Sequence, residues 1–305
     1  MRRLVFFCMM FLSIVVLISQ TEGYALTPKA IYIFGDSLSD VGYEDDFPEF
    51  SQEMQMNWPD GKLPRYTSLS FGLNTAYPES GKVYSNFLAD YYNFPALNIT
   101  NNLDKTTGGS LENTAVSGNA SGNNYAVGGS VISGVGIQGF IGGSLFYNPP
   151  SMTTQIDNYL AQNTTRPLDS NNVYIIWGGT SDILKILFNQ DAQGHILDNS
   201  GAIIKTDLEL EKLELQSIIG MLQNMQKLIQ KLKSAGAKHI IFIDMFNFAE
   251  TPLLKALQET NPTLSMAIDM RAFSGYYDTY MNVYIAPLAV QYDLHVMSIY
   301  TYLSS

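Results

Sequence analysis

Gly35-Asp36-Ser37-Leu38-Ser39-Asp40 follows directly on a short apolar run, Ala30 to Phe34. The run reads as a buried parallel strand that ends at Gly35. Ser37 then sits on a tight turn just past a strand's carboxyl end, where open α/β sheets bind their ligands. A serine hydroxyl is a poor nucleophile until a base takes its proton. It also needs donors placed to hold the oxyanion that forms when it attacks an acyl carbon. The glycine-rich segment Asn124-Tyr125-Ala126-Val127-Gly128-Gly129-Ser130 offers backbone N–H groups with no side chain in the way, Gly129 first and Gly128 second. The plainer alternative is that residues 35–40 are only a polar strand-to-helix turn in which Asp36 or Ser37 caps a helix. A third segment, Tyr174-Ile175-Ile176-Trp177-Gly178-Gly179-Thr180-Ser181-Asp182, takes a second buried strand into a Gly-Gly turn, and Asp182 there reads as a structural cap.

These segments carry a resemblance. Phe34-Gly35-Asp36-Ser37-Leu38-Ser39-Asp40-Val41-Gly42, the Asn124–Ser130 block and the Tyr174–Asp182 block resemble, in order, the first three blocks of the GDSL or SGNH hydrolases, in their longer secreted lipase and acylhydrolase branch. Gly236-Ala237-Lys238-His239-Ile240-Ile241-Phe242 resembles the strand that follows, and the likeness covers roughly residues 28 to 300. It implies a three-layer α/β sandwich with a mainly parallel sheet, of SGNH-hydrolase or flavodoxin-like type. It also implies a carboxylic-ester hydrolase with Ser37 as nucleophile and an oxyanion hole from the Ser37 and Gly129 amides. Lipid or phospholipid acyl esters are the implied substrates, with acyl transfer as a variant of the same chemistry. The third block departs from the family: where it has an Asn whose amide donates to the oxyanion, this chain has Ser181. A hydroxyl is shorter and has one donor proton, and losing one oxyanion donor typically costs about 10²–10³ in rate.

The family's catalytic Asp and His form an Asp-x-x-His motif after the last strand, and neither is found here. The last strand reads as His295 to Tyr300, with only Thr301 to Ser305 beyond it, so the domain is expected to be incomplete at its C-terminus. Of the three histidines, His195 lies in a loop or hairpin and reads as a surface residue. His239 opens a strand and reads as a core or strand-edge residue. His295, in Asp293-Leu294-His295, is the one candidate base, but it precedes its strand.

The elements that must position these groups follow from periodicity. Helical spacing runs through Val83–Tyr92, Ser151–Gln162 and Asp207–Ser234, the last closed by Gly236 as helix ends often are. Pro262 to Val290 is mostly helical; Val173–Trp177, Lys238–Asp244 and His295–Tyr300 read as strands. Strands alternating with helices specify an α/β sheet. Residues 43–82, rich in Pro, Gly, Ser and Tyr, read as a long excursion, and residues 100–150 as a long irregular region.

Met1-Arg2-Arg3, the apolar run Leu4–Ile18 and the small residues Gly23 and Ala25 form the pattern of a cleaved secretory signal over residues 1–25. An uncleaved anchor is the alternative, but the run is shorter than the about 20 residues that span a bilayer. Residues 26–305 then make one domain, secreted or periplasmic. The only cysteine, Cys8, lies in the leader, so the mature chain has no disulfide. A net charge of -11 argues against nucleic-acid binding.

Several patterns are set aside. Gly134-Val135-Gly136-Ile137-Gln138-Gly139 spells a dinucleotide fingerprint but lacks the strand before and helix after it. No Gly-x-Ser-x-Gly elbow occurs, and no metal-ligand spacing, so neither metal nor cofactor is expected. Asn98, Asn119 and Asn163 stand in glycosylation sequons. The aromatics Phe47, Phe50, Trp58, Tyr66, Phe71 and Tyr77 suit either a lipid-contacting lid with transient membrane-surface contact or ordinary loop packing. Against the hydrolase stand two other outcomes: a catalytically impaired descendant acting as a lipid- or glycan-binding module, and a truncated gene product.

Overall fold

The computed structural model describes residues 28–40, 84–92, 123–137, 139–141, 144–147, 149–189, 197–245 and 266–299. The apolar leader, the aromatic-rich stretch 43–82 and His195 lie outside the described residues.

Four strands form one parallel sheet in the order β1-β4-β5-β6: β1 (Ala30–Gly35), β4 (Asn172–Trp177), β5 (His239–Ile243) and β6 (His295–Met297). The register runs Ile33–Ile175–Ile241–His295 at one level and Gly35–Trp177–Ile243–Met297 two residues further on. Such strands are covered on both faces and therefore read as unbroken apolar runs. Alternate side chains feed two cores. Ile31, Ile33, Val173, Ile175, Trp177, Ile241 and Ile243 join one face, where helix α1 (Tyr84–Tyr91) packs through Tyr84, Leu88 and Ala89. Phe34, Tyr174, Ile176, Ile240 and Phe242 join the other. That face carries α2 (Met152–Gln162), α4 (Asp207–Ser234), α5 (Met266–Tyr284) and α6 (Ala286–Tyr292), with α3 (Thr180–Phe188) following β4. Helix, sheet, helix is the three-layer sandwich expected. Among the described residues no helix is long and apolar enough to cross a membrane.

Local chemistry sets the ends. Ser151 caps α2 by accepting from the Thr154 amide, and Thr206 and Glu209 form a reciprocal capping box on α4. Gly236, at φ +103°, closes α4 while the Ala237 amide returns to the Leu232 carbonyl at 3.0 Å.

Two expectations need correction. The region 100–150 is not irregular throughout. Residues 123–127 run parallel to β1 as an extra edge, with Ile33 N donating to Asn123 O, Tyr125 N to Ile33 O and Val127 N to Gly35 O. Beyond them, β2 (Gly139–Ile141) and β3 (Ser144–Tyr147) pair as an antiparallel hairpin. The last strand is shorter than His295–Tyr300: after Met297 the Ile299 amide donates to Asp244 Oδ1 at 2.5 Å, so the chain leaves the ladder.

Candidate active site

Beyond β1 the chain makes one tight helical turn. Ser39 N and Asp40 N both donate to Asp36 O at 3.1 Å, and Leu38 N donates to Asp36 Oδ1 at 3.2 Å. The turn buries its polar neighbours and leaves the serine out: Asp36, Ser39 and Asp40 are fully buried, while Ser37 keeps surface. Ser37 makes no hydrogen bond among the described residues. Its exposure after a buried strand is the arrangement a nucleophile needs.

The glycine-rich block is tied to this turn. Asn124 Nδ2 donates to Ser39 O at 2.8 Å, and Asn124 Oδ1 accepts from Ala126 N. Ser39 Oγ and Tyr84 Oη lie 3.1 Å apart, which joins α1 to the same turn. The two candidate glycines then separate. Gly128 N donates to Asp40 Oδ2 at 2.6 Å and is committed. Gly129, at φ +72°, keeps some surface, and its N–H makes no hydrogen bond among the described residues. The Gly129 carbonyl is held instead, by Ile137 N at 2.8 Å, and a Cβ on Gly136 would meet it at 2.6 Å. Gly136 therefore serves close packing against this loop. The sequence 134–139 opens a hairpin, not a nucleotide-binding helix.

The third block enters α3 through Gly179 at φ +113°. Asp182, at the third helical position, accepts from Ile132 N at 3.0 Å through Oδ2, so it ties this block to the second. Ser181 is only 2 % exposed, whereas Ser37 and Gly129 both keep some surface. Asp36 Oδ2 makes no hydrogen bond of normal geometry, yet the Ser181 and Thr180 amides and the Thr180 hydroxyl lie close enough to favour its charge. Burial outweighs them and pushes the Asp36 carboxyl up to about 7. Burial likewise pushes Asp182 up to about 7, opposed by the Ile132 amide and reinforced by the charge of Asp36. Residue Asp182 as a whole keeps some surface, but its carboxylate is enclosed.

Burial is the main cause for both carboxyls. Each has its folded pKa raised above the unfolded value of about 4. The folded state thus holds protons that the unfolded state has released, and the stability they contribute falls as pH rises from about 4 to about 7. Asp182→Asn is expected to flatten that slope by up to about 1.4 kcal/mol per pH unit, one proton's worth. Urea melts at pH 5, 6 and 7 measure it, and parallel slopes for the two proteins would refute it.

A buried amide that the sequence reading missed sits among these blocks. Gln155, on α2 and 1 % exposed, accepts from Gly35 N at 3.0 Å through Oε1. Its Nε2 donates to Gly35 O at 2.9 Å and Ser130 Oγ at 3.1 Å, with Pro150 O at 3.3 Å. A glutamine inside an amphipathic helix carries no sequence signal for such a role, because its partners lie 120 and 25 residues away.

Neither of the two described histidines joins the site. His295 opens β6 at the level of Ile33, two residues short of Gly35 and three strands from β1. At about 4.8 Å per strand that is about 14 Å across the sheet, beyond any hydrogen bond to Ser37. His239 pairs with Val173 at the opposite end of the strands from Ser37. No group of three His, Cys, Asp or Glu side chains among the described residues is arranged to hold a metal ion.

The comparisons agree with this architecture. No curated protein gave a significant match. The sequence model of the GDSL-like lipases and acylhydrolases matches residues 31–301, spanning all three blocks and all of the described sheet but its first residue. The chain belongs to the GDSL-like lipase/acylhydrolase family.

Proposed function

We propose that the chain is an exported carboxylic-ester hydrolase in which Ser37 is the nucleophile. Family membership supports ester hydrolysis. The observation that carries the residue assignment is the half-buried, surface-reaching Ser37 beside a loop whose Gly129 N–H makes no hydrogen bond among the described residues, while Gly128 is bound by Asp40. Ser37 Oγ attacks the acyl carbonyl and gives its proton to a base. The resulting oxyanion takes hydrogen bonds from the Ser37 and Gly129 amides, with the Ser181 hydroxyl as a weaker third donor. The alcohol leaves with a proton, and water then hydrolyses the acyl-serine. The substrate is a small or lipid acyl ester met in solution or at a membrane surface, outside the cytoplasm once the leader 1–25 is removed. No cofactor or nucleic acid enters the chemistry.

Neither described histidine stands beside Ser37 to take its proton. Two of the three histidines are placed away from Ser37, and His195 is the third. The test is hydrolysis of p-nitrophenyl butyrate by the chain, with Ser37→Ala and His195→Ala alongside. Turnover that vanishes in Ser37→Ala supports the proposal, and its loss in His195→Ala as well would identify the base. Turnover equal in Ser37→Ala and the parent sinks it. A second reading, a module that binds esters without cleaving them, is favoured by the lack of a histidine beside Ser37 among the described residues. Folded protein that binds the ester without turning it over would select that reading.

Ser181 is the weak donor in this scheme. Ser181→Asn restores an amide that reaches further, so kcat is expected to rise about tenfold or more with little change in KM. An unchanged or lower kcat would show that this position takes no part in holding the oxyanion.

A further inference from the structure

We propose that Gln155 is a positioning residue that holds the nucleophile turn and the oxyanion loop in one fixed relation; this rests on the hydrolase reading of Ser37 and Gly129. Along the 123–127 edge, Ile33 N donates to Asn123 O and Tyr125 N to Ile33 O. A regular parallel ladder would next give Gly35 N to the Tyr125 carbonyl and Val127 N to Gly35 O. The second bond is present at 3.2 Å; in place of the first, Gly35 N donates to Gln155 Oε1 at 3.0 Å. The side chain has entered the ladder at the last residue of β1, two positions before Ser37.

A primary amide fits the post. Gly35 N–H can only donate and Gly35 C=O can only accept, so the partner must offer both an acceptor and a donor on one planar group. These partners also fix which way the amide faces. The Nε2 group then reaches Ser130 Oγ at 3.1 Å, while the Ser130 hydroxyl donates to Pro150 O at 2.8 Å. Ser130 is the residue after Gly129. One buried side chain therefore bonds the residue two before the nucleophile and the residue one after the oxyanion donor. Being buried and fully partnered, it resists rearrangement, since breaking it strands polar groups away from water. The carboxylate of a glutamate could not donate to the Gly35 carbonyl, and a methionine of similar volume could make none of these bonds.

Gln155→Met and Ser130→Ala, made in the full chain, are read by ester hydrolysis and by backbone hydrogen exchange. Gln155→Met is expected to lower kcat on p-nitrophenyl butyrate by about 100-fold with KM nearly unchanged, because misplacing the groups by about 1 Å affects the transition state more than binding. Exchange is expected to quicken about tenfold in both 35–40 and 128–132 while 239–243 keeps the parent rate. Ser130→Ala removes one arm and is expected to quicken only 128–132, with a smaller loss of kcat. If the parent shows no Ser37-dependent turnover, the hydrolase reading fails and the exchange pattern alone decides on Gln155. Exchange unaltered in either segment, or quickened equally in 239–243 as a general loss of stability would do, overturns the proposal.

Discussion

Gly35→Ala is expected to leave almost no folded protein. A Cβ at this position would lie 2.4 Å from the Trp177 carbonyl oxygen and 3.0 and 3.1 Å from Ser39 Oγ and Cβ. The first is backbone of the neighbouring central strand. The second belongs to a side chain held by Tyr84, in a residue whose carbonyl is held by Asn124. Neither can retreat without opening the β1–β4 pairing or the nucleophile turn. Ordinary overpacking costs about 1–3 kcal/mol, and a contact this short against fixed backbone costs more, a large share of the about 5–15 kcal/mol that holds a domain together. Gly220 provides the contrast: it lies inside α4 with nothing within 4 Å of an added Cβ. Gly220→Ala is expected to stabilise by roughly 0.5–1 kcal/mol through helix propensity alone. Soluble yield and urea midpoints measure both. A Gly35→Ala protein with the parent midpoint would show that Gly35 is not fixed by Trp177.

Ser37→Ala is expected to lower kcat on a nitrophenyl ester by about 10³-fold or more, to the level that binding and oxyanion donors sustain without a nucleophile. KM should change little, because the hydroxyl acts on the transition state. The fold should be untouched, since Ser37 keeps surface and makes no hydrogen bond among the described residues. The contrast with Asp36 is sharp. That neighbour is fully buried and its carboxylate accepts from the Leu38 amide inside the turn, so its replacement disturbs the turn itself.

Much of the framework is legible in the sequence, for physical reasons. Val173–Trp177 is a continuous apolar run because β4 is buried on both faces. Asp207–Ser234 has an amphipathic period and a glycine stop, and the helix fills that range. What stayed hidden depends on contacts distant in sequence. Residues 123–127 bond to β1 with a composition of Asn, Tyr, Ala and Val that carries little strand signal beside the surrounding glycines. Val296 follows His295 in a strand three residues long because Asp244, over 50 residues earlier, captures the Ile299 amide. Gly128 and Gly129 are equivalent as letters, and only the Asp40 carboxylate distinguishes them. Gln155 looks like any polar helix residue until the end of β1 is seen to lack its ladder partner.

The dinucleotide-like glycines show the converse. Gly134, Gly136 and Gly139 match a pattern whose mechanism needs a strand before and a helix after it. In the fold Gly136 instead lets the chain close over the Gly129 carbonyl. Its need for glycine is steric, and it serves the same loop that the serine turn faces.

The central claim is that Ser37 is a nucleophile, and reaction of the folded chain with a p-nitrophenyl phosphonate ester tests it most directly. Such a reagent leaves a stable adduct on an attacking serine. The account predicts one adduct per chain, mapped by peptide mass to the segment carrying Ser37 and absent from Ser37→Ala. An unmodified Ser37, or an adduct that maps to another residue and survives in Ser37→Ala, would contradict it.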